Sequence, residues 1–276
     1  MRKYMKYEIK GSYKFILGII AIVLIASTII QINISRYDAS NSINGFATLM
    51  LLVSILVIFG AFLTAFFQII GSFRKELYED RGYLTFTLPL TGNKILGAKL
   101  IVAVIWFLAL GISIVLYNLL LAMILYGSDW INIIKQIINT VNLGVFSIGI
   151  VSLVSAILTL ILIYFSMTLS RVSIKNKKIG GLWFIIFLIL NSLAGYFTFK
   201  VINVFPYYMS LENFKILHSY ELNFFPTLTG ITKQQLILFG NNFDAYINIF
   251  GVLSMIIMGL GAFLATGYLI EKKIDI

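Results

Sequence analysis

The 276-residue chain has no cysteine, one histidine, three prolines and only 12% charged residues. Without thiols it has no disulfide framework, no thiolate nucleophile and no cysteine-based metal site. The lone His218 cannot supply the paired ligands of an H-E-x-x-H zinc protease. It also falls outside every long apolar run, so a serine within such a run has no histidine to activate it. The phosphate-binding pattern G-x-x-x-x-G-K-[ST] does not occur, so any ATP hydrolysis belongs to another polypeptide. No residue is assigned as catalytic or as a metal ligand, and no cofactor is expected on this chain.

What the sequence has instead is apolar length. Hydrophobic residues make up 60% of it and the mean hydropathy is +0.97, beyond the range of soluble domains. A helix crossing the hydrocarbon core needs about 20 predominantly apolar residues. Six runs meet that requirement with no charge in their cores: residues 15–34, 46–70, 100–126, 141–169, 182–199 and 247–270. Lipid offers no partner to backbone N–H and C=O groups, so each run is read as a helix. The expected fold is an all-α integral membrane protein, one transmembrane domain over residues 1–276. The first run exceeds the apolar part of a signal peptide and no A-x-A site follows it, so it is read as an uncleaved span. The lack of ionisable residues inside the runs argues against a proton-driven antiporter or a voltage sensor.

Lysine and arginine set the orientation. Arg2, Lys3, Lys6, Lys10 and Lys14, then Arg74, Lys75, Arg81, Lys94 and Lys99, then Arg171, Lys175, Lys177 and Lys178, and finally Lys272 and Lys273 all fall on one side of the six runs, sixteen of 21 in total. The positive-inside rule then places both termini in the cytoplasm. The net charge of +10 faces anionic lipid on this topology and is not read as a nucleic-acid surface.

Between the second and third runs lies a connector, residues 74–94, containing Leu88-Pro89-Leu90-Thr91-Gly92. These letters match the LPxTG signal cut by sortases. That signal works outside the cell near a C-terminus, whereas here the stretch is cytoplasmic and about two-thirds of the chain follows it. Gly82 and Pro89 isolate a short element, and Thr91 is placed to cap the next helix. Leu84, Phe86 and Leu88 are apolar residues on a segment whose charged flanks keep it out of the bilayer. They either dock another protein or lie back on the ends of the spans.

The stretch "DRGYLTFTLPLTGNKILGAK" resembles the connector of permease subunits of ABC exporters, the type 2 permease family also called type V. The shared features are an acidic residue and glycine, an apolar run, Pro89, a small polar residue and a helix entered shortly before Lys99. Arg81 stands where the family often has Glu. The resemblance implies that Leu77, Tyr78, Glu79, Asp80, Arg81, Gly82, Tyr83, Leu84, Phe86, Leu88 and Pro89 form a coupling helix docking on a separate ATP-binding cassette subunit. ATP and magnesium are then expected on that partner ATPase, and a second permease copy or paralogue beside this chain. The N-terminal "MRKYMKYEIKGSYKFILG" likewise resembles the family's amphipathic connecting helix. In residues 1–14, Met1, Met5, Ile9 and Tyr13 form an apolar row beside the basic row Arg2, Lys6, Lys10 and Lys14, as suits a helix lying in the inner interface.

Asn118 and Asn191 are the notable polar residues within the runs, each able to bridge helices or to line a path. Ser152 with Ala156, and Gly261 with Ala265, have the spacing of helix contacts. The segment 200–246 is too apolar for a solvated loop, and short amphipathic or re-entrant helices are expected there. Residues 129–141 carry Ile133, Ile134, Ile137 and Ile138 at helical intervals, as in a second interfacial helix.

The expected function is the membrane-spanning subunit of an ATP-driven exporter in a bacterial plasma membrane, moving an amphipathic or hydrophobic substrate such as an antimicrobial peptide, drug or lipid-like molecule outward. A non-transporting immunity or sensor protein, and a secondary transporter, are the alternatives.

Overall fold

The computed structural model describes residues 1–35, 45–79, 90–126, 131, 135, 143–173, 181–210, 214–219, 235–239 and 245–273. Six helices are long and apolar enough to cross a membrane. They are α1 (Arg2–Ser35), α2 (Gly45–Tyr78), α3 (Gly92–Tyr126), α4 (Leu143–Ser173), α5 (Leu182–Val204) and α6 (Ile249–Lys272). The chain is thus a mostly helical multi-pass membrane protein. It divides into two compact units, Met1–Glu76 with Gly97–Gln136, and Leu77–Leu96 with Ile137–Ile276.

In the first unit, α1 is unbroken over 34 residues, a length of about 51 Å against a hydrocarbon core of about 30 Å. Residues 1–14 are therefore continuous with the first span, with no break setting them off as a separate helix. The reason lies on the helix's inner face. Tyr4 is buried and Glu8 and Ser12 are half-buried, leading into buried Ile16, Ile19 and Val23. The row Met1, Met5, Ile9 and Tyr13 lies to one side, with Met1 and Tyr13 exposed. Polar residues, and not the apolar row, hold the first turns in line with the span. Further along, Ile19 and Val23 pack with Ala61 and Ala65 of α2 and Leu110 of α3.

In the second unit, α4 packs against both α5 and α6. Its most buried stretch includes Leu160, Tyr164 and Met167. Buried Ser166 and Thr168 return their hydroxyls to the Ile163 and Tyr164 carbonyls of their own helix, so apolar surroundings leave neither unsatisfied. The N-terminus of α3 belongs to this unit and lies against α6. A Cβ on Gly92 would collide with the Gly267 carbonyl, and one on Gly267 with the Asn93 side chain. The glycine of the sortase-like stretch is thus a close-approach residue. Thr91 stands just before α3, its carbonyl accepting from the Lys94 and Ile95 N–H groups, the N-cap position expected for it. Gly261, by contrast, has no neighbour within 4 Å of where its Cβ would stand, so the close contacts of α6 fall at Gly251, Gly259 and Gly267 instead.

The segment 200–246 departs from expectation. Its described residues contribute, where short helices were expected, to a four-stranded antiparallel sheet in the order β2-β1-β4-β3, made of β1 (Tyr207–Ser210), β2 (Ile216–His218), β3 (Ile237–Phe239) and β4 (Ala245–Asn248). These runs are short and rich in aromatic and branched residues, which suit a pleated, half-buried surface. Ile202, Tyr208 and Leu238 form the core beneath them. Tyr207 faces His218 across the β1–β2 pair, their rings edge to face with centroids 5.2 Å apart. Burial raises the Tyr208 phenol above its ordinary pKa, against a hydrogen bond with Asn248 that lowers it. Protonated Tyr208 donates to the Gln235 carbonyl. Fully buried Asn248 caps α6 by accepting from the Gly251 N–H at 2.7 Å and donates to the Phe205 carbonyl at the end of α5.

Candidate functional site

Sequence reasoning found no ionisable residue inside the runs, and what it missed is a charged cluster assembled at their ends. Lys99 of α3 is 4% exposed and Glu76 of α2 is 8% exposed. The Lys99 Nζ lies 3.0 Å from Glu76 Oε1 and 3.1 Å from Glu8 Oε2 of α1. Its remaining donor reaches Ser72 Oγ at 3.2 Å, and that hydroxyl donates to Glu8 Oε2 at 2.9 Å. The Tyr4 hydroxyl donates to the Glu76 carboxylate, 3.0 Å from each oxygen, and the Tyr4 ring stands 5.9 Å from the ammonium. Three helices thus meet at one ammonium and two carboxylates. Every donor of Lys99 is used, which is the condition for burying a charge without a large penalty. One helical turn onward from Glu8, Ser12 accepts from the Trp106 indole at 3.0 Å, extending the polar seam between α1 and α3.

Asn118 closes the same unit at the far end. Its side-chain oxygen accepts from Ser27 Oγ at 2.8 Å and from Gln31 Nε2 at 2.7 Å, and its amide donates to the Ile114 carbonyl. Beside it, the Thr28 and Tyr117 hydroxyls are 2.7 Å apart. Lys99 and Asn118 are 19 residues apart on α3, about 29 Å along the helix axis, close to the hydrocarbon thickness. The two polar layers are thus separated by about that thickness, with the apolar layer around Ala65 and Leu110 between them.

Asn191 has a different setting. It lies midway along α5, is exposed, and among the described residues has no hydrogen-bond partner. It lines a mostly apolar cleft of about 350 Å³ between α4, α5 and α6. Of the two asparagines, Asn118 bridges helices and Asn191 lines a cavity.

In the connector, Leu77 is buried and Tyr78 donates its hydroxyl to the Met167 carbonyl at 3.0 Å. These two residues are engaged within the protein, while Glu79 is exposed. Asp80, Arg81, Gly82, Tyr83, Leu84, Phe86, Leu88 and Pro89 lie outside the described residues, as does most of 129–141. Of the basic row, Arg2, Lys6, Lys10 and Lys14 are exposed. Among the described residues no group of three or more histidine, cysteine or acidic side chains is placed to hold a metal ion.

Comparison with protein-family models, with curated proteins and with solved structures gave no match to the chain.

Proposed function

We propose that the protein is the membrane-spanning subunit of an ATP-driven exporter, with both termini in the cytoplasm and the connector 74–94 docking on a separate ATPase. The observation that carries this reading is the Glu76–Lys99 pair, which joins residues on either side of the docking stretch 77–89 at 3.0 Å and ties both to Glu8 of α1. A push on the connector is transmitted along the chain to Glu76 on one side and Lys99 on the other. The cluster then delivers it to three spanning helices together. Coupling of ATP hydrolysis to a membrane path needs such a stiff junction, because a load applied to a frayed helix end dissipates in local unfolding. The uncharged cores of the spans fit an amphipathic or hydrophobic substrate, and a second permease copy or paralogue completes the path.

The test is capture of a partner from native membranes with a photoreactive residue at Tyr83. The expected adduct is an ATP-binding protein that is lost in the double variant Leu84→Asp with Leu88→Asp. A correctly inserted protein that captures no ATPase would overturn the exporter reading and favour a non-transporting immunity or sensor role.

A further inference from the structure

We infer that the cleft between α4, α5 and α6 is a binding site for a single elongated amphiphile whose carbonyl or ether oxygen accepts a hydrogen bond from Asn191. Its walls follow one stripe of α5 from Asn191 through Gly195 and Thr198 to Ile202, eleven residues or about 17 Å along the helix. The volume of about 350 Å³ falls within the roughly 300–1,000 Å³ of small-molecule sites. A helix with its side chains is about 10–12 Å across, too broad for this slot, so a flexible chain is the fitting occupant.

The lining also selects chemistry. No charged residue contributes to it, which excludes an ionised group at this depth. The Thr159 and Thr198 hydroxyls are spent on the Ser155 and Ala194 carbonyls of their own helices. Asn191, with Ser155, is left with unspent donors, and an unmatched amide among apolar groups is costly. An amide, ester, ether or hydroxyl oxygen on the ligand satisfies it. Met255 and Met258 form part of the α6 wall, where unbranched thioethers adapt to an apolar chain of variable shape. Space is kept by glycine: a Cβ at Gly195 meets nothing within 4 Å, whereas one at Gly259 collides with Leu158.

The test uses the full-length protein in phosphatidylcholine nanodiscs and a palmitoyl amide bearing a chain diazirine and a terminal alkyne, with the matching alkane as reference. Expected is saturable labelling confined to α4, α5 and α6 peptides and competed by unlabelled amide. Gly195→Leu, which fills the slot, abolishes it, while Gly111→Leu in α3 leaves it intact. Asn191→Leu weakens amide binding about tenfold, the loss of one hydrogen bond, and leaves alkane labelling unchanged. If Gly195→Leu fails to fold, the Asn191→Leu comparison still decides the matter. A ligand drawn from the bilayer co-purifies with the wild type and is extracted from it but not from Gly195→Leu; a separately arriving cargo is seen with added probe alone. Labelling that rises linearly with probe and spreads over all six helices would overturn the inference. So would a change of oligomeric state in Asn191→Leu, which would make the residue a contact between copies. The experiment needs neither ATP nor an ATPase, so its result is separate from that of the exporter reading.

Discussion

Glu76 and Lys99 are 23 positions apart in sequence, one on each side of the docking stretch 77–89, and their Oε1 and Nζ atoms are 3.0 Å apart. With Glu8 and Tyr4 they turn the base of the first unit into one bonded junction. Removing the single ammonium leaves two buried carboxylates facing each other. We expect Lys99→Met to lower the stability of the purified protein by about 3–5 kcal/mol, the usual result of stranding a buried charge. Adding Glu8→Gln and Glu76→Gln to Lys99→Met should recover most of that loss. Thermal unfolding in detergent of the wild type, the single and the triple variant checks it, and an unstable triple variant would show that the cluster matters for more than charge balance.

Two glycines on α3 and α6 give a second prediction. Gly92→Ala and Gly267→Ala each place a methyl group against backbone or Asn93, and overpacking of this kind costs about 1–3 kcal/mol. Gly111 and Gly261 have no neighbour within 4 Å, so alanine there is tolerated and its helix propensity favours it by up to about 1 kcal/mol. Melting temperatures of the four variants should fall into those two pairs. Equal loss in all four would place the sensitivity outside the Gly92–Gly267 contact.

The asparagines should separate in the same assay. Asn118→Leu leaves Ser27 and Gln31 without their acceptor and should cost about 1–3 kcal/mol. Asn191→Leu breaks no described bond and should leave the unliganded protein as stable as the wild type. Comparable destabilisation by both would mean that Asn191 has a structural partner.

Asn248 joins sheet and helix. Asn248→Ala removes both the cap on α6 and the bond to Phe205, and cap loss alone costs about 0.5–2 kcal/mol. Asn248→Asp keeps the cap acceptor and forfeits the donor, so it should fall between the wild type and alanine. Hydrogen exchange at Gly251 reads the cap directly, with faster exchange expected in Asn248→Ala than in Asn248→Asp.

The sequence by itself determined the six helices. Apolar length is a local property, and a bilayer forces any such run to satisfy its own backbone. It also placed Thr91 before a helix, because the punctuation that starts a helix is a matter of a few neighbouring residues. What only the tertiary structure decided is which polar groups meet. Tyr4, Glu8 and Ser12 on α1, and Ser72 and Glu76 on α2, stand four residues apart, but nothing local distinguishes a polar face turned inward from one turned to water, and nothing in the sequence pairs either row with Lys99. The same limit hid the role of Gly92, whose neighbour is 175 positions away, and the sheet after α5, whose strands are three or four residues long and gain their pairing from one another. Short strands carry too little periodicity to be told from amphipathic turns. Asn118 and Asn191 are the same residue type in similar apolar runs, and packing alone made one a bridge and left the other facing a cleft.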